Sequence, residues 1–242
     1  MQRHILDSVD STNAYGLRLA AALTGPAWFV AQEQTAGRGR RARPWVSPRG
    51  NFYGTMILHL SEPPAAIALR SFAAALALRD AFVALTDMPG AFQLKWPNDV
   101  LLNGGKVAGI LLESQSAGSG IAHLAIGIGV NLIAAPDPTL VEPGATQPVS
   151  LLGETGLKIT PQAFLDYLAP AYTHWEAILT TQGFAPLRQE WLTHAARLGQ
   201  IIRARTASQT REGRFETIDT TGALILQQPA GPVAISAAEV FF

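Results

Sequence analysis

An α+β fold is what the 242-residue sequence predicts, and three observations carry that prediction. Short stretches of strand character interleave with longer helical ones over roughly the first 197 residues. From about residue 198 the pattern changes to short strands separated by Gly or Pro turns, the signature of a small β-barrel. Hydrophobic residues make up 48% of the chain and charged ones 15%, ample for a sizeable core. The expected division is a larger domain over 1–197 and a small barrel over 198–242.

Taken in order, residues 4–9 read as a strand, and Asp10-Ser11-Thr12-Asn13 as a helix N-cap cluster before a short amphipathic helix over 15–23. That cluster either caps the helix alone or also holds a small polar ligand. Residues 28–34 alternate like a strand, and 51–60 form another. Pro63-Pro64 opens a long Ala/Leu-rich helix to about Thr86, apolar over most of its circumference and therefore buried. Two more helices are expected over 161–181 and 185–197, after a Pro- and Ala-rich surface connection over 133–149.

The stretch from Phe92 to Glu113 holds two of the three lysines in the chain, Lys95 and Lys106, both embedded in apolar sequence. Desolvating an unpaired ammonium costs several kcal/mol, so each needs an anion, either Asp99 or a ligand's phosphate or carboxylate. Pro97 cannot donate to a sheet ladder and should end the strand through Lys95. Asn103-Gly104 signals a two-residue hairpin turn, with the return strand starting at Lys106.

Arg38, Arg40, Arg41, Arg43 and Arg49 place a third of the arginines in twelve residues. Gly37 and Gly39 loosen the backbone there, and Trp45 flanks it. Such a loop suits an anion and orders when phosphate arrives, although a nucleic-acid-binding arm has the same composition. It is neither a Walker loop nor a dinucleotide fingerprint. Along 121–132, one strand face carries Leu124, Ile126, Ile128, Val130 and Leu132, and the other Ala125, Gly127, Gly129 and Asn131. A face stripped of side chains is the floor of a pocket, or the seat of a tightly packed helix.

Composition excludes several classes. The chain has no cysteine, which removes disulfides, thiolate metal sites and thiol catalysis together. Net charge is zero, so the chain as a whole gives no argument for nucleic acid. No apolar run reaches the ~18 residues of a membrane span, and the N-terminus lacks a signal-peptide core. A cytoplasmic protein is the expectation.

With these stretches in place, the chain resembles the biotin protein ligases over nearly its whole length. The resemblance rests on Asp10-Ser11-Thr12-Asn13, Gln34-Thr35-Ala36-Gly37-Arg38-Gly39-Arg40-Arg41, Lys95-Trp96-Pro97-Asn98-Asp99, Lys106-Val107-Ala108-Gly109-Ile110-Leu111 and Gly127-Ile128-Gly129-Val130-Asn131, in that order. It implies a mixed β-sheet flanked by helices, like the class II aminoacyl-tRNA synthetase catalytic domains, followed by an SH3-like barrel. It also implies a two-step reaction using ATP and Mg²⁺. Biotin and ATP give biotinyl-5′-AMP, and the biotinyl group then passes to a lysine of a biotin carboxyl carrier protein, a subunit of acetyl-CoA carboxylase or a related carboxylase.

Carried over by motif, Ser11, Thr12, Gln34, Gly37, Arg38, Arg40, Gly109, Gly127 and Gly129 bind biotin. Lys106 contacts both its carboxylate and the α-phosphate. Arg43, Trp45, Lys95, Asn98 and Asn131 meet the nucleotide. Lys106, Arg40 and Asp99 are the catalytic candidates, with Asp99 orienting or deprotonating the acceptor lysine, and no protein side chain is assigned to a metal. Ala42 stands where the family often has Gly, implying a slightly stiffer loop. Some relatives repress transcription through an N-terminal DNA-binding domain. This chain starts a few residues before the Ser-Thr-Asn motif, so the expectation is a ligase that binds neither DNA nor membrane, as monomer or homodimer. Two readings compete: a lipoate or octanoate ligase of the same fold, and a basic-loop nucleic-acid-binding module.

Overall fold

The computed structural model describes residues 1–117, 120–142 and 144–242, so that Pro143, inside the expected 133–149 connection, lies outside the described residues. Strands β1 (Gln2–Val9) and β2 (Ala27–Gln34) flank helix α1 (Thr12–Leu19), and β3 (Phe52–His59) follows the arginine loop. Two helices, α2 (Pro64–Ala68) and α3 (Arg70–Thr86), lead to the hairpin strands β4 (Phe92–Lys95), β5 (Asp99–Leu102) and β6 (Gly105–Ala117), then to β7 (Gly120–Val130). These seven strands form one sheet in the order β1-β2-β3-β7-β6-β5-β4. Only β1 and β2 run parallel, so the sheet is mixed, as the resemblance implied.

Helices α4 (Leu151–Thr155), α5 (Pro161–Gln182) and α6 (Phe184–Thr193) precede a five-stranded antiparallel sheet. Its strands are β8 (Ile201–Arg205), β9 (Thr210–Ile218), β10 (Leu224–Gln228), β11 (Gly231–Ile235) and β12 (Glu239–Phe241), in the order β11-β10-β9-β8-β12.

The alternation of β7 decides which face of the main sheet carries core and which carries chemistry. Leu124, Ile126, Ile128 and Val130 pack with Trp28, Phe52, Phe82 and Phe164 into the large core under α3 and α5. On the opposite face a smaller cluster, Phe29, Ile57 and Ala125, lies beneath α1. The rest of that face is left for the pocket.

Several expectations need correction. The helix from Pro64 to Thr86 is broken at Leu69, where three-residue bonds (Leu69 N to Ala66 O, 3.3 Å; Phe72 N to Leu69 O, 3.0 Å) replace the α-helical ladder. The break brings Arg70, 1% exposed, onto Glu62 at 2.8 Å and Glu176 at 2.9 Å. Helix α6 stops at Thr193 rather than 197, because His194 and Ala196 turn to bond the free edge of β4 (Leu94 N to His194 O and Ala196 N to Leu94 O, both 2.8 Å). Strand β2 does not alternate: Ala27 to Ala31 are all buried, since the strand is covered on both faces. The Asn103-Gly104 turn forms as expected, with φ of +50° and +83°.

Candidate active site

Helix α1 starts with Thr12, one residue after Ser11, but Ser11 makes no side-chain capping bond. Capping therefore does not account for the Ser-Thr-Asn cluster. Its side chains turn inward. The backbone N–H of Thr12 donates to Gln34 Oε1 at 2.9 Å, and its hydroxyl lies 3.2 Å from the same oxygen. Asn13 donates to Leu111 O at 3.3 Å and to Glu113 Oε2 at 2.8 Å. Ser11, Thr12 and Asn13 are all buried. Buried polar groups bonded to one another rather than to the helix end make a polar pocket wall.

The stripped face of β7 serves both purposes foreseen for it. A Cβ on Gly127 would lie 2.4 Å from Asn13 Oδ1, so that glycine makes room for α1. A Cβ on Gly129 would lie 2.5 Å from the Trp45 indole, and one on Gly109 3.2 Å from the same ring. The indole thus rests on a floor of two glycines, and its buried Nε1–H has no partner among the described residues. A buried donor left unpaired costs about 1–3 kcal/mol, which a ligand acceptor would recover.

Lys106 owes its place to an irregularity. It lies three positions before Gly109, an odd offset that in an unbroken strand would set the two on opposite faces. The β5–β6 register shifts at Val100/Leu101, pairing Leu101 with Lys106 but Val100 with Ala108. This bulge swings Lys106 onto the glycine face, its Nζ 3.4 Å from where a Gly109 Cβ would stand. There it pairs with Asp99 Oδ1 at 2.7 Å, the two side chains 27% and 16% exposed, and lies 5.4 Å from the Trp45 ring centroid.

Lys95 fares differently from expectation. Its Nζ donates to Thr146 Oγ1 at 2.7 Å rather than pairing with Asp99, and lies 5.0 Å from the Phe242 ring centroid. Burial pulls its pKa down, partly offset by the Asp99 charge.

The arginine loop folds back on itself: Gly39 N donates to Arg43 O at 2.8 Å and Trp45 N to Gly37 O at 2.9 Å. Arg41 and Ala42 both have positive φ, +56° and +57°, a conformation that costs an alanine about 1–2 kcal/mol and a glycine almost nothing. Arg40 donates to Asn98 Oδ1 and Ala238 O, each at 3.3 Å, and burial lowers its pKa. Arg43 pairs with Glu142 at 3.1 Å and with both oxygens of Glu239, while Arg41 reaches Glu239 at 3.3 Å. Arg205 on β8 bonds the same two carboxylates, at 2.8 Å each. Burial pushes Glu239 up, but the bonds from Arg43 and Arg205 outweigh it and hold the carboxyl at about 2. Arg49 faces away, on Asp7 and Glu33.

These groups surround one cavity of about 440 Å³. Ser11, Thr12, Gln34, Arg38, Arg40 and Lys106 line it, as do Gly109, Gly127 and Gly129. So do Arg43, Trp45, Lys95, Asn98, Asp99 and Asn131. Gly37 is the one expected residue off the wall; it lies behind, where a Cβ would strike Ser47 Oγ at 2.6 Å and Trp45 O at 2.7 Å. Asn98 and Asn131 spend their amide donors on backbone, on Ile110 O at 2.6 Å and Val149 O at 3.0 Å. Missed from sequence were Glu113, Glu142, Glu239 and Arg205, whose neighbours are remote along the chain. Asn13 was within reach of sequence reasoning, through its place in the cap cluster.

Two family models match. The Biotin/lipoate A/B protein ligase family covers residues 5–131 and the Biotin protein ligase C terminal domain covers 198–242. A Biotin--[acetyl-CoA-carboxylase] ligase of Paracoccus denitrificans is 57% identical over 98% of this chain and 99% of its own. The chain belongs to the biotin protein ligase family. As expected of such a ligase, its fold matches solved members. One from Aquifex aeolicus in complex with biotin and ATP superposes with a TM-score of 0.83 at 23% identity, covering 99% of this chain and 97% of that one. A Leishmania major biotin protein ligase in complex with biotinyl-5-AMP gives 0.66 at 26% identity, covering 98% and 99%. The C-terminal antiparallel sheet is the SH3-like domain of these ligases.

Proposed function

We propose that this ligase joins biotin to AMP and passes the biotinyl group to a lysine of a biotin carboxyl carrier protein. The observation that carries the proposal is the glycine-floored cavity with the Lys106–Asp99 pair, 2.7 Å apart, on its wall. In the first step a biotin carboxylate oxygen attacks the α-phosphorus of ATP, and pyrophosphate leaves with the electrons of the broken P–O bond. Lys106, turning from Asp99 to the α-phosphate, offsets charge gathering on the non-bridging oxygens. In the second step the acceptor ε-amine attacks the biotinyl carbonyl, AMP departs, and the amine's proton is lost. Asp99, freed when Lys106 turns away, is placed to orient or take that proton.

Placement around the cavity supports the remaining roles. Ser11, Thr12 and Gln34 form the polar wall for the ring system, and Gly109, Gly127 and Gly129 leave space for it. Gly37 keeps the loop stem close, and Arg38 and Arg40 close over the carboxylate and adenylate. Arg43, Trp45, Lys95, Asn98 and Asn131 serve the nucleotide, with Arg43 first exchanging Glu142 and Glu239 for phosphate. Mg²⁺ keeps several waters and binds chiefly through substrate phosphates, so in this reading it arrives with the ATP. We assign residues 1–197 to the catalytic unit and 198–242 to the barrel, which the position of the second sheet supports. No helix among the described residues is long and apolar enough to cross a membrane, and an ATP-consuming ligase of carrier proteins suits the cytoplasm.

A nucleic-acid-binding reading is disfavoured by the pairing of Arg38, Arg41, Arg43 and Arg49 with carboxylates, which occupies most of the loop's charge within the protein. The deciding experiment is biotin-dependent ATP–pyrophosphate exchange by the purified chain. Exchange with biotin and not with lipoate is expected; a folded protein that supports none refutes adenylation.

A further inference from the structure

Glu113 takes no part in the chemistry above, yet both the loop and the pocket wall lean on it. It lies on β6, on the face that carries Gly109 and Leu111, and its side chain is 27% exposed. Arg38 donates to it through Nε at 3.0 Å and Nη2 at 3.3 Å. A fork held at two nitrogens has its plane fixed. The third, Nη1, makes no hydrogen bond to a described residue, and Arg38 lines the cavity. The same carboxylate accepts from Asn13 Nδ2 at 2.8 Å.

From Asn13 the bonding runs on beneath the pocket. Thr55 Oγ1 donates to Asn13 Oδ1 at 2.6 Å and lies 2.8 Å from Thr12 Oγ1. Thr12 donates to Gln34 Oε1, Gln34 Nε2 donates to Ser47 Oγ at 3.1 Å, and Ser47 Oγ donates to Trp45 O at 2.8 Å. The path leaves one stem of the arginine loop at Arg38 and rejoins the other at Trp45. Hydrogen bonds in such a chain polarise one another, so engaging one member tightens the rest.

We infer that Glu113 is a positioning residue that couples the polar pocket to the loop, holding the Arg38 guanidinium to the Asn13 amide so that a ligand engaging Thr12 and Gln34 draws the loop down. The inference rests on the reading of this pocket as biotin's. A ligand that binds better to the closed loop shifts the population toward it by the difference in affinity alone. Cutting the link should therefore weaken closure without touching the chemical step.

Glu113→Gln keeps the shape and removes the charge. In the parent chain, saturating biotin should slow tryptic cleavage between Ala36 and Gly50. In Glu113→Gln that slowing should shrink roughly fivefold, and the KM for biotin in pyrophosphate exchange rise by about as much, with kcat within about twofold. Introduced into Arg38→Gln, the same change should remove no further protection, since the pair is already broken. Where Glu113→Gln does not fold, Glu113→Asp, which withdraws the carboxylate by one methylene, carries the test with the same expected loss. Equal protection in parent and variant at saturating biotin, or losses that multiply in the double variant, overturns the inference and leaves the function standing. A parent chain that binds no biotin overturns both.

Discussion

Replacing Lys106 with Met keeps the side-chain stem and deletes its charge, and the structure separates the two consequences. Loss of a preorganised positive group at a developing oxyanion costs about 10²–10³ in rate, roughly 2.7–4 kcal/mol. Adenylate formation should fall by that factor. The second consequence is on the fold. Asp99, with a side chain 16% exposed, loses the ammonium 2.7 Å away. Leaving such a carboxylate unpaired costs about 1–3 kcal/mol, and a chain of this size loses about 2–4 °C of Tm per kcal/mol, so Tm should drop by about 2–12 °C. Asp99→Asn is the control. It frees Lys106 from its internal partner, so pyrophosphate exchange should stay within about threefold of the parent or rise, while transfer to the carrier should slow by ~10² or more if the proposed role of Asp99, orienting or deprotonating the acceptor amine, holds. Exchange rates are read under single-turnover conditions, with melting curves alongside. A folded Lys106→Met protein that exchanges within threefold of the parent would show that Lys106 is no more than a structural half of an ion pair.

Further outcomes are expected at the floor, the charge cluster and the loop. Gly129→Ala puts a methyl 2.5 Å from the Trp45 indole and should displace it, raising the KM for ATP about tenfold through an overpacking cost of ~1–3 kcal/mol. Trp45→Ala in the same chain should erase the difference, and additive effects would count against the contact. Glu239 titrates near 4.5 when unfolded and about 2 when folded, so its stabilising contribution is full above pH 4.5 and is lost as the pH falls from there toward 2. About 1–3 kcal/mol, after allowance for solvent screening, should disappear across that window, and Glu239→Gln should flatten this part of the pH–Tm curve. An unchanged curve would mean that the arginine bonds contribute nothing net. Biotin and ATP together should protect the peptide bonds between Ala36 and Gly50 more than biotin alone, as phosphate replaces Glu142 and Glu239 at Arg43; equal protection argues against that exchange.

What was legible in the sequence was local. The two-residue turn at Asn103-Gly104 and the large-in, small-out alternation of β7 follow from backbone and side-chain geometry within one element, and the structure has both. The break at Leu69 was hidden because its cause, the reach of Arg70 to Glu62 and Glu176, spans up to 106 residues. The position of Lys106 was legible only as a charge in apolar sequence. That it shares a face with Gly109 depends on a bulge, and no residue at 106 or 107 announces one. Lys95 and Asp99 are direct register partners, yet the carboxylate went to Lys106, a choice that packing around Thr146 and Phe242 decides. The glycine floor was visible as an absence of side chains; that an indole rests on it was not, because Trp45 comes from a loop with no period to follow.

The carboxylates that meet Arg41 and Arg43 come from the far end of the polypeptide and from the connection before α4, not from the sheet that bears the pocket. A strand of exposed guanidiniums in a cell would cling to any polyanion it met. Here each is already matched, so a newcomer gains a place only by offering a better partner than the incumbent. Trimming the terminal sheet away should therefore leave a loop that is stickier and less discriminating rather than merely slower.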